Sequence, residues 1–513
     1  MTNRPNWKQY QSQLQRKTSA RRFLRRTRRF WGLLPLLLLA VYGLTAGLGG
    51  SSPLPTPPVA APAPQAASAP AEKPAGAPAV LVASPAPAHK PAGVPVAVAV
   101  PPALAEKPAG APVALVASLA PAAQPVAAAP KSSPVLTKSD LQVLIDHNRF
   151  INLTESAFPF EMDGQRFMVE TSLNPQLQSY LLKRMDREHC RFIAVVAMEP
   201  ATGRLLAMAG FDKDNPTNAN PCIETLFPAA SIFKIVTAAA AVEKLGFSPT
   251  SSLSFTGGKY TLYKSQLKDQ QNRYTRYISF RDAFAQSVNP VFGKIGARSL
   301  GKNALQQYAE AFGFNRAIHF EIPLAPSTVS ISDEPYQLAE IASGFNRQTV
   351  ISPLHGAMLV ATILNGGEMV APTIVDQITD AHGRPLYRQH RQALNRAISP
   401  TASKIVNTLM AATVHDGTSR KAFKGYGRDR VLSRLNIGGK TGSISNKTNE
   451  LRYDWFVGFA EDKNGSEKIA ISVVVAHEKY IGTRAGQYAR LVIERFFGDY
   501  FTQTAPASPK ASS

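Results

Sequence analysis

Three short sequence elements carry side chains that can perform acyl transfer, and they follow one another in a fixed order along the chain. The first, Ser231-Ile-Phe-Lys234, places a hydroxyl and an amine one helical turn apart, on the same face of a helix. A serine hydroxyl becomes an effective nucleophile when a neighbouring base takes its proton, and a lysine with a lowered pKa can be that base. At the amino end of a helix, free backbone N–H groups stabilise negative charge on the attacked oxygen.

The second and third elements are Ser287-Val-Asn289 and Lys440-Thr441-Gly442, the latter followed by Ser443. Lys-Thr-Gly occurs once in the chain, and the glycines around it favour a strand that a ligand backbone approaches closely. Each element alone has an ordinary structural explanation as a helix cap, a turn or a solvated strand residue. Together, in this order, they predict a single site.

The two shorter patterns also occur elsewhere. Ser265–Lys268 and Ser299–Lys302 repeat the serine–lysine spacing, but neither opens an apolar helix, so we exclude both. Ser172-Leu-Asn174 repeats the serine–asparagine spacing, and the following Pro175 predicts a strand-to-helix turn there.

The elements that must position these residues are predicted from hydrophobic patterning. Residues 227–246 predict a long apolar helix that ends at Gly246, and residues 191–211 predict a β-hairpin. Three further strands are predicted within residues 435–478, followed by a helix around 485–497. Strands at both ends with helical sequence between them predict an α+β fold of α/β type: one antiparallel sheet flanked by helices, with a mainly helical subdomain.

The ordered set resembles the S-x-x-K, S-x-N and K-T-G motifs of the penicillin-binding protein and serine β-lactamase superfamily. The resemblance covers about residues 167–497. Flanking segments are similar to the transpeptidase branch, among them SVNPVFGKIGARSLG from Ser287 and ISPLHGAMLVATILNGG from Ile351. It implies a penicillin-binding transpeptidase-like fold, peptidoglycan stem peptides as substrates and β-lactams as covalent inhibitors, with no metal or organic cofactor.

The resemblance also implies a catalytic role for three residues. Ser231 attacks the carbonyl of the penultimate D-alanine and becomes the acyl-enzyme. Lys234 accepts the proton of that hydroxyl, and Ser287 relays a proton toward the departing D-alanine nitrogen.

Five further residues are implied in substrate binding. Asn289 bonds Lys234 and the substrate amide, Lys440 supplies positive potential, and Thr441 binds the terminal carboxylate. Gly442 permits close approach of the ligand, and the backbone N–H of Ser443 completes an oxyanion hole with that of the nucleophile. The usual residue at the fourth position is threonine; Ser443 keeps the hydroxyl.

Other activities remain open on these motifs. A D,D-carboxypeptidase shares the first half-reaction and uses water as acceptor. A β-lactamase needs a second base, and Glu334 and Glu340, the acidic residues considered, are interpreted as surface charges. A wall-binding scaffold or a β-lactam sensor is the non-enzymatic alternative. The transpeptidase is favoured because of the flanking sequence, and because no motif residue is lost.

Residues 1–30 hold ten Lys/Arg and no acid and so contribute +10 of the net charge of +22, whereas the charge of the predicted catalytic domain is spread along its sequence. No basic run with interleaved aromatics follows, so nucleic-acid binding is not expected. The arginine-rich start and the apolar stretch after it predict a single-pass inner-membrane anchor with the catalytic domain on the extracytoplasmic, periplasmic side; a cleaved signal is the alternative.

Composition divides the chain into six predicted parts. Residues 53–134 are rich in proline and alanine and contain the repeated string AEKPAGAP, which predicts an extended, disordered tether. The parts are a basic cytoplasmic tail (1–29), the anchor (30–49), the linker (50–135), a short connector (136–165), the transpeptidase domain (166–503) and a disordered tail (504–513). The connector is too short for a non-catalytic pedestal domain; cell-wall synthesis proteins remain possible partners, but none is supported.

Cys190 and Cys222 are the only cysteines. In an exported domain they can form a disulfide, but small core residues are the favoured interpretation. The histidines, for instance His415, show no metal-ligand spacing.

Overall fold

The computed structural model describes residues 136–504. The predicted basic tail (1–29), membrane anchor (30–49) and linker (50–135) lie outside the described residues, as does the C-terminal tail from residue 505. Between Leu136 and Thr504, none of the helices combines the length and apolar character needed to cross a bilayer.

The strands of the described part form several antiparallel sheets. In chain order they are β1 (Ala157–Met162), β2 (Gln165–Thr171), β3 (Cys190–Met198), β4 (Leu205–Asp212), β5 (Phe227–Pro228), β6 (Ser252–Phe255), β7 (Arg276–Ser279), β8 (Val350–Ile351), β9 (Glu368–Val370), β10 (Val375–Asp380), β11 (Pro385–Arg388), β12 (Ala393–Arg396), β13 (Leu435–Ser445), β14 (Arg452–Asp462) and β15 (Lys468–His477).

Helices cover the sheets and fill the middle of the chain. They are α1 (Lys138–Leu144), α2 (Pro175–Leu182), α3 (Lys234–Leu245), α4 (Phe280–Ala285), α5 (Asn289–Lys294), α6 (Gly301–Ala311), α7 (Pro335–Ser343), α8 (Pro353–Leu364), α9 (Pro400–His415) and α10 (Ala485–Gln503). A tighter 3₁₀ turn (Ala230–Phe233) precedes α3, and a wider π-helical turn (Ile295–Leu300) precedes α6.

The main sheet has five strands in the order β13-β14-β15-β3-β4, all antiparallel. The predicted hairpin is β3–β4, and the three predicted late strands are β13, β14 and β15, so the predicted sheet of sequence-distant segments is confirmed. Both faces are buried: Val474 of β15 packs with the helical core, whereas Val473 and Val475 pack with Tyr488 of α10. A strand covered on both faces needs apolar residues at successive positions, which explains the run IAISVVVA.

The segment 136–165, assigned above as a connector, contributes to the folded core. Leu141 of α1 and Phe158 of β1 are buried among the helical-core residues. Strand β1 pairs with β2 at the edge of a four-stranded sheet, in the order β1-β2-β10-β11. The predicted start of the domain at residue 166 therefore does not coincide with a boundary in packing. Asn174 caps α2 by accepting from the backbone N–H groups of residues 176 and 177, which confirms the predicted strand-to-helix turn.

A buried carboxylate joins α1 to the middle of the domain. Glu321, only 1% exposed, accepts hydrogen bonds from the Tyr387 hydroxyl (3.1 Å), the Ile374 backbone N–H (3.1 Å) and the Thr373 hydroxyl. The Lys138 ammonium lies 3.7 Å from the same carboxylate. A buried charge is tolerated only when it is paired and hydrogen-bonded, as here.

Replacement of Glu321 by alanine is expected to lower the free energy of unfolding by about 3–5 kcal/mol, because four polar groups would lose their shared partner inside the core. Urea unfolding followed by circular dichroism measures the loss. Asp333→Ala is the matched control, since Asp333 pairs with Lys302 at the surface (3.4 Å) and its loss should cost less than about 1 kcal/mol. Equal losses in the two variants would contradict the assignment of Glu321 as a core partner.

The two cysteines are free thiols in the folded domain. Both are buried, and Cys222 donates to the Ala209 carbonyl (3.2 Å). Burial raises the pKa of Cys190 and of Cys222 to about 12. They are therefore small core residues, the favoured of the two interpretations, and not a disulfide.

Candidate active site

Ser231 lies in the first turn of the predicted apolar helix. That helix begins as the tight turn Ala230–Phe233 and continues as α3, and Gly246 ends it in the left-handed conformation (φ 67°), as predicted. Ala230, directly before the serine, has φ 48°, a strained value for a residue with a Cβ. The indole N–H of Trp455 on β14 donates to the Pro228 carbonyl (2.9 Å), so the central sheet anchors the backbone just ahead of the serine.

Lys234 is fully buried, and its Nζ lies 2.8 Å from the Ser231 hydroxyl oxygen. The same nitrogen contacts the Asn289 Oδ1 (2.7 Å) and the Ser343 backbone carbonyl. Burial, together with the nearby positive charge of Lys440, holds the pKa of Lys234 well below its ordinary value. A neutral amine has two protons, and these two oxygens can only accept. The lone pair is therefore left facing the serine hydroxyl.

The orientation of Asn289 is fixed by the loop that follows β6. Its Nδ2 donates to the Tyr260 carbonyl (3.2 Å) and its backbone N–H donates to the Lys259 carbonyl (2.7 Å). Because Nδ2 must face a carbonyl, Oδ1 is the atom that faces Lys234. Ser287, two residues earlier, adopts φ 55°, a second left-handed residue in the site.

Lys440 of β13 is also fully buried, and its Nζ donates to the Ser287 hydroxyl (2.9 Å) and to the Thr441 carbonyl (2.9 Å). Burial lowers the pKa of Lys440 to about 7. Two neighbouring ammonium groups repel each other in a buried site. The state in which only one of Lys440 and Lys234 is protonated is therefore preferred over the state in which both are.

Strand β13 runs along the backbone of the serine. A Cβ added to Gly442 would lie 3.3 Å from the Ala230 Cβ and 3.4 Å from the Ser231 backbone nitrogen. Glycine is therefore the residue that permits this approach. Beyond it, Ser443 is exposed, and its hydroxyl oxygen accepts from the Arg452 Nε (3.1 Å).

The eight residues predicted from the three elements thus come together from α3, the α4–α5 connection and β13. Ser231, Lys234 and Asn289 form one hydrogen-bonded set, and Ser287 and Lys440 form a second. Gly442 connects β13 to the first set. Thr441 is partly exposed, as the ligand-facing residue of a cleft should be. Their individual roles remain predictions.

The end of helix α7 supports this site, and the sequence analysis did not identify it. Ser343 offers its carbonyl to Lys234, and Gly344 ends the helix with φ 64°. A Cβ on Gly344 would lie 1.8 Å from the Ala230 carbonyl oxygen, so its Cα packs directly on the peptide before Ser231. A helix-ending glycine can be read from sequence, but its contact with the nucleophile cannot.

Thr418, also missed, follows helix α9 and approaches β13. Its hydroxyl is hydrogen-bonded to the hydroxyl of Thr441. The segment from Val414 was similar to the transpeptidase branch, but no spacing signal linked Thr418 to a particular strand residue.

The acidic residues considered for a second base lie on α7. Glu334 caps that helix by accepting from the Gln337 backbone N–H (2.6 Å). Glu340 is partly buried, and its burial and the neighbouring Glu334 raise the pKa of its carboxyl to about 7. Within residues 136–504, no cluster of three or more His, Cys, Asp or Glu residues is arranged to hold a metal ion.

The fold thus places a buried lysine within hydrogen-bond distance of a serine hydroxyl, beside an antiparallel sheet. The penicillin binding protein transpeptidase domain family matches residues 193–494. The chain belongs to this family, and its fold is the α+β arrangement of antiparallel sheets and helices expected from the resemblance.

The chain is also similar to a mycobacterial protein and to its solved structures. The peptidoglycan D,D-transpeptidase PbpA of Mycobacterium tuberculosis (strain CDC 1551 / Oshkosh) is 26% identical over 345 residues, covering 60% of this chain and 67% of the relative. The crystal structure of PBPA from Mycobacterium tuberculosis is similar with a TM-score of 0.52 and 26% identity, over 64% of this chain and 81% of that one. A ceftriaxone acyl-enzyme complex of the same mycobacterial protein has a TM-score of 0.52 at 26% identity, with coverages of 64% and 79%.

Proposed function

We propose that this chain is a peptidoglycan D,D-transpeptidase that cross-links stem peptides through a Ser231 acyl-enzyme and is acylated by β-lactams. The observation that carries the proposal is the buried Lys234, whose Nζ lies 2.8 Å from the Ser231 hydroxyl and whose other contacts are both acceptors. The mycobacterial relative PbpA, named as a D,D-transpeptidase and solved as a β-lactam acyl-enzyme, supports the reaction type.

In the proposed acylation, Lys234 takes the hydroxyl proton as Ser231 Oγ attacks the carbonyl of the penultimate D-alanine. The Oγ–C bond forms, and negative charge develops on the carbonyl oxygen. Backbone N–H groups of Ser231 and Ser443 stabilise that oxygen, because donors placed where charge develops lower the barrier most.

Departure of the terminal D-alanine requires a proton on its nitrogen. Ser287 is placed to donate it, and Lys440, 2.9 Å away, can donate in turn to Ser287. The proton that Ser231 gave to Lys234 balances the proton that the leaving amine gains. Attack on the acyl-enzyme by the amine of a second stem peptide reverses these proton transfers and releases the serine.

We further propose that this reaction occurs on the extracytoplasmic side of the inner membrane. The support is the sequence alone: six arginines between residues 21 and 29 precede an apolar stretch long enough to span a bilayer. The stem peptides of the wall are the expected partners.

The test is acylation of the purified chain with a fluorescent penicillin, followed by a chase with unlabelled drug and peptide mass mapping. We expect one label per chain, on the peptide containing Ser231, that persists for many minutes. Rapid loss of the label would favour a β-lactamase, and absence of any label would favour a scaffold.

Incubation with a D-Ala-D-Ala stem peptide and an amine acceptor then distinguishes a transpeptidase from a D,D-carboxypeptidase. A transpeptidase yields the peptide–amine adduct together with D-alanine. Release of D-alanine with no adduct at any acceptor concentration would instead identify a D,D-carboxypeptidase.

A further inference from the structure

We infer that Thr418 is a second hydroxyl ligand for the terminal carboxylate of the acyl donor, acting beside Thr441. The inference rests on the proposed function, because Thr441 is the residue proposed to receive that carboxylate. It starts from one contact: the hydroxyls of Thr418 and Thr441 are hydrogen-bonded to each other although 23 residues separate them. Both side chains are accessible at the surface of the site.

Thr418 is held in place by the turn that follows α9. Its backbone N–H donates to the Ala285 carbonyl (3.1 Å), at the end of the helix that leads into Ser287. Gly417 packs so closely that an added Cβ would lie 2.3 Å from the same carbonyl oxygen. An ion pair between Asp416 and Arg281 also links this turn to α4. The hydroxyl is thus presented by a segment fixed to the catalytic elements.

Two adjacent hydroxyls suit an anion with two oxygens. When the site is empty, one hydroxyl donates to the other and a single O–H remains free. When a carboxylate arrives, each hydroxyl can turn its proton to one carboxylate oxygen, giving two parallel charge-assisted hydrogen bonds. The Lys440 ammonium, bonded to the Thr441 carbonyl at 2.9 Å, adds a positive charge beside the pair.

Ser443, the residue after Gly442, does not supply the hydroxyl that pairs with Thr441. Ser443 accepts from the Arg452 Nε (3.1 Å), whereas the hydroxyl that contacts Thr441 is that of Thr418. The pair therefore joins β13 to the turn after α9, and the carboxylate would bridge these two elements.

The test compares benzylpenicillin with its methyl ester, which lacks the negative charge, on the full chain and its variants. Thr418→Val should lower the second-order acylation rate by benzylpenicillin roughly tenfold or more, the range of a lost hydrogen bond to a charged group. The rate with the ester should fall by a clearly smaller factor, because a hydrogen bond to a neutral ester contributes less than one to a carboxylate. Thr418→Ser should restore most of the benzylpenicillin rate.

Thr408→Val is the matched control, since Thr408 is an exposed threonine of α9 whose hydroxyl bonds the Lys404 carbonyl (3.0 Å). It should leave both rates unchanged. Equal losses with acid and ester in Thr418→Val would overturn the inference and assign Thr418 a structural role, and so would the absence of any loss. Failure of the unmodified chain to react with either compound would instead reject the proposed function.

Discussion

Replacement of Lys234 by methionine is expected to slow acylation of Ser231 by about a thousandfold, within the range that a general base contributes. Methionine is unbranched and of similar length, so it fits the buried channel that Lys234 occupies. It cannot accept the serine proton, and it leaves the Asn289 Oδ1 and the Ser343 carbonyl without their donor. Second-order rate constants with a fluorescent penicillin, read from gel fluorescence over time, measure the loss.

Lys234→Arg separates the two functions of the residue. Arginine offers several donors for Asn289 and Ser343, but it does not deprotonate in proteins. We expect acylation as slow as in the methionine variant. If the arginine variant reacted at close to the unmodified rate, Lys234 would be a donor that positions the site and not the base.

The pH profile gives an independent measurement of the same nitrogen. Because burial and the charge of Lys440 hold the pKa of Lys234 well below that of a solvated lysine, acylation should extend to lower pH than a solvated lysine base would allow. Lys440→Gln removes the neighbouring positive charge that depresses this pKa, so the pKa of Lys234 should rise. The acidic limb of the acylation profile should then move to higher pH, whatever the overall rate. A shift to lower pH would contradict the assignment.

Replacement of Gly344 by alanine is expected to reduce acylation at least a hundredfold. The new Cβ would lie 1.8 Å from the Ala230 carbonyl oxygen and 2.9 Å from the Ser231 backbone nitrogen. These are backbone atoms, so the clash is relieved only if the serine turn or the end of α7 moves. The Ser343 carbonyl would move with it and withdraw an acceptor from Lys234. Displacements near 1 Å are enough to cost about a hundredfold in rate.

Gly246→Ala provides the control for backbone conformation. Gly246 ends α3 with φ 67°, nearly the φ 64° of Gly344, but a Cβ there meets nothing within 4 Å. Both variants should lose about 1 kcal/mol of stability because alanine disfavours the left-handed region, and Gly344→Ala should lose more because of its backbone clash. Only Gly344→Ala should also lose acylation. Comparable acylation in the two variants, measured with the same penicillin, would show that the close contact is not needed.

The position of Ser231 at the start of its helix was predictable because it follows from local rules. An apolar periodicity, small residues at the start and Gly246 at the end define α3 from sequence alone. The five-stranded sheet was predictable for a similar reason, since strands buried on both faces are uniformly apolar. The grouping of Ser287 and Lys440 with the helix rested on the resemblance, because no sequence pattern encodes a contact across 153 residues.

The supporting contacts could not be predicted. The Ser343 carbonyl belongs to the backbone, which carries no sequence signal, and the pairing of Thr418 with Thr441 depends on how α9 packs against β13. The core location of α1 and β1 was missed for another reason. Residues 136–165 lack a long periodic segment, and their apolar side chains are buried only once β2 and β10 are in place.

The buried partners of α1 also determine how the domain would respond to mechanical load. The Leu136 backbone N–H bonds the Leu386 carbonyl of β11 (2.9 Å), and the Lys138 ammonium bonds the Pro372 carbonyl (2.6 Å) beside Glu321. Tension applied through the preceding chain would therefore be borne first by these bonds, in the sheet that contains β11. The residues proposed to react lie on other elements, namely the turn before α3, α3 itself, the α4–α5 connection and β13, so they would be loaded only after those bonds had broken. The hydrogen bonds of Leu136 and Lys138 would thus shield the proposed catalytic cleft from tension on the preceding chain.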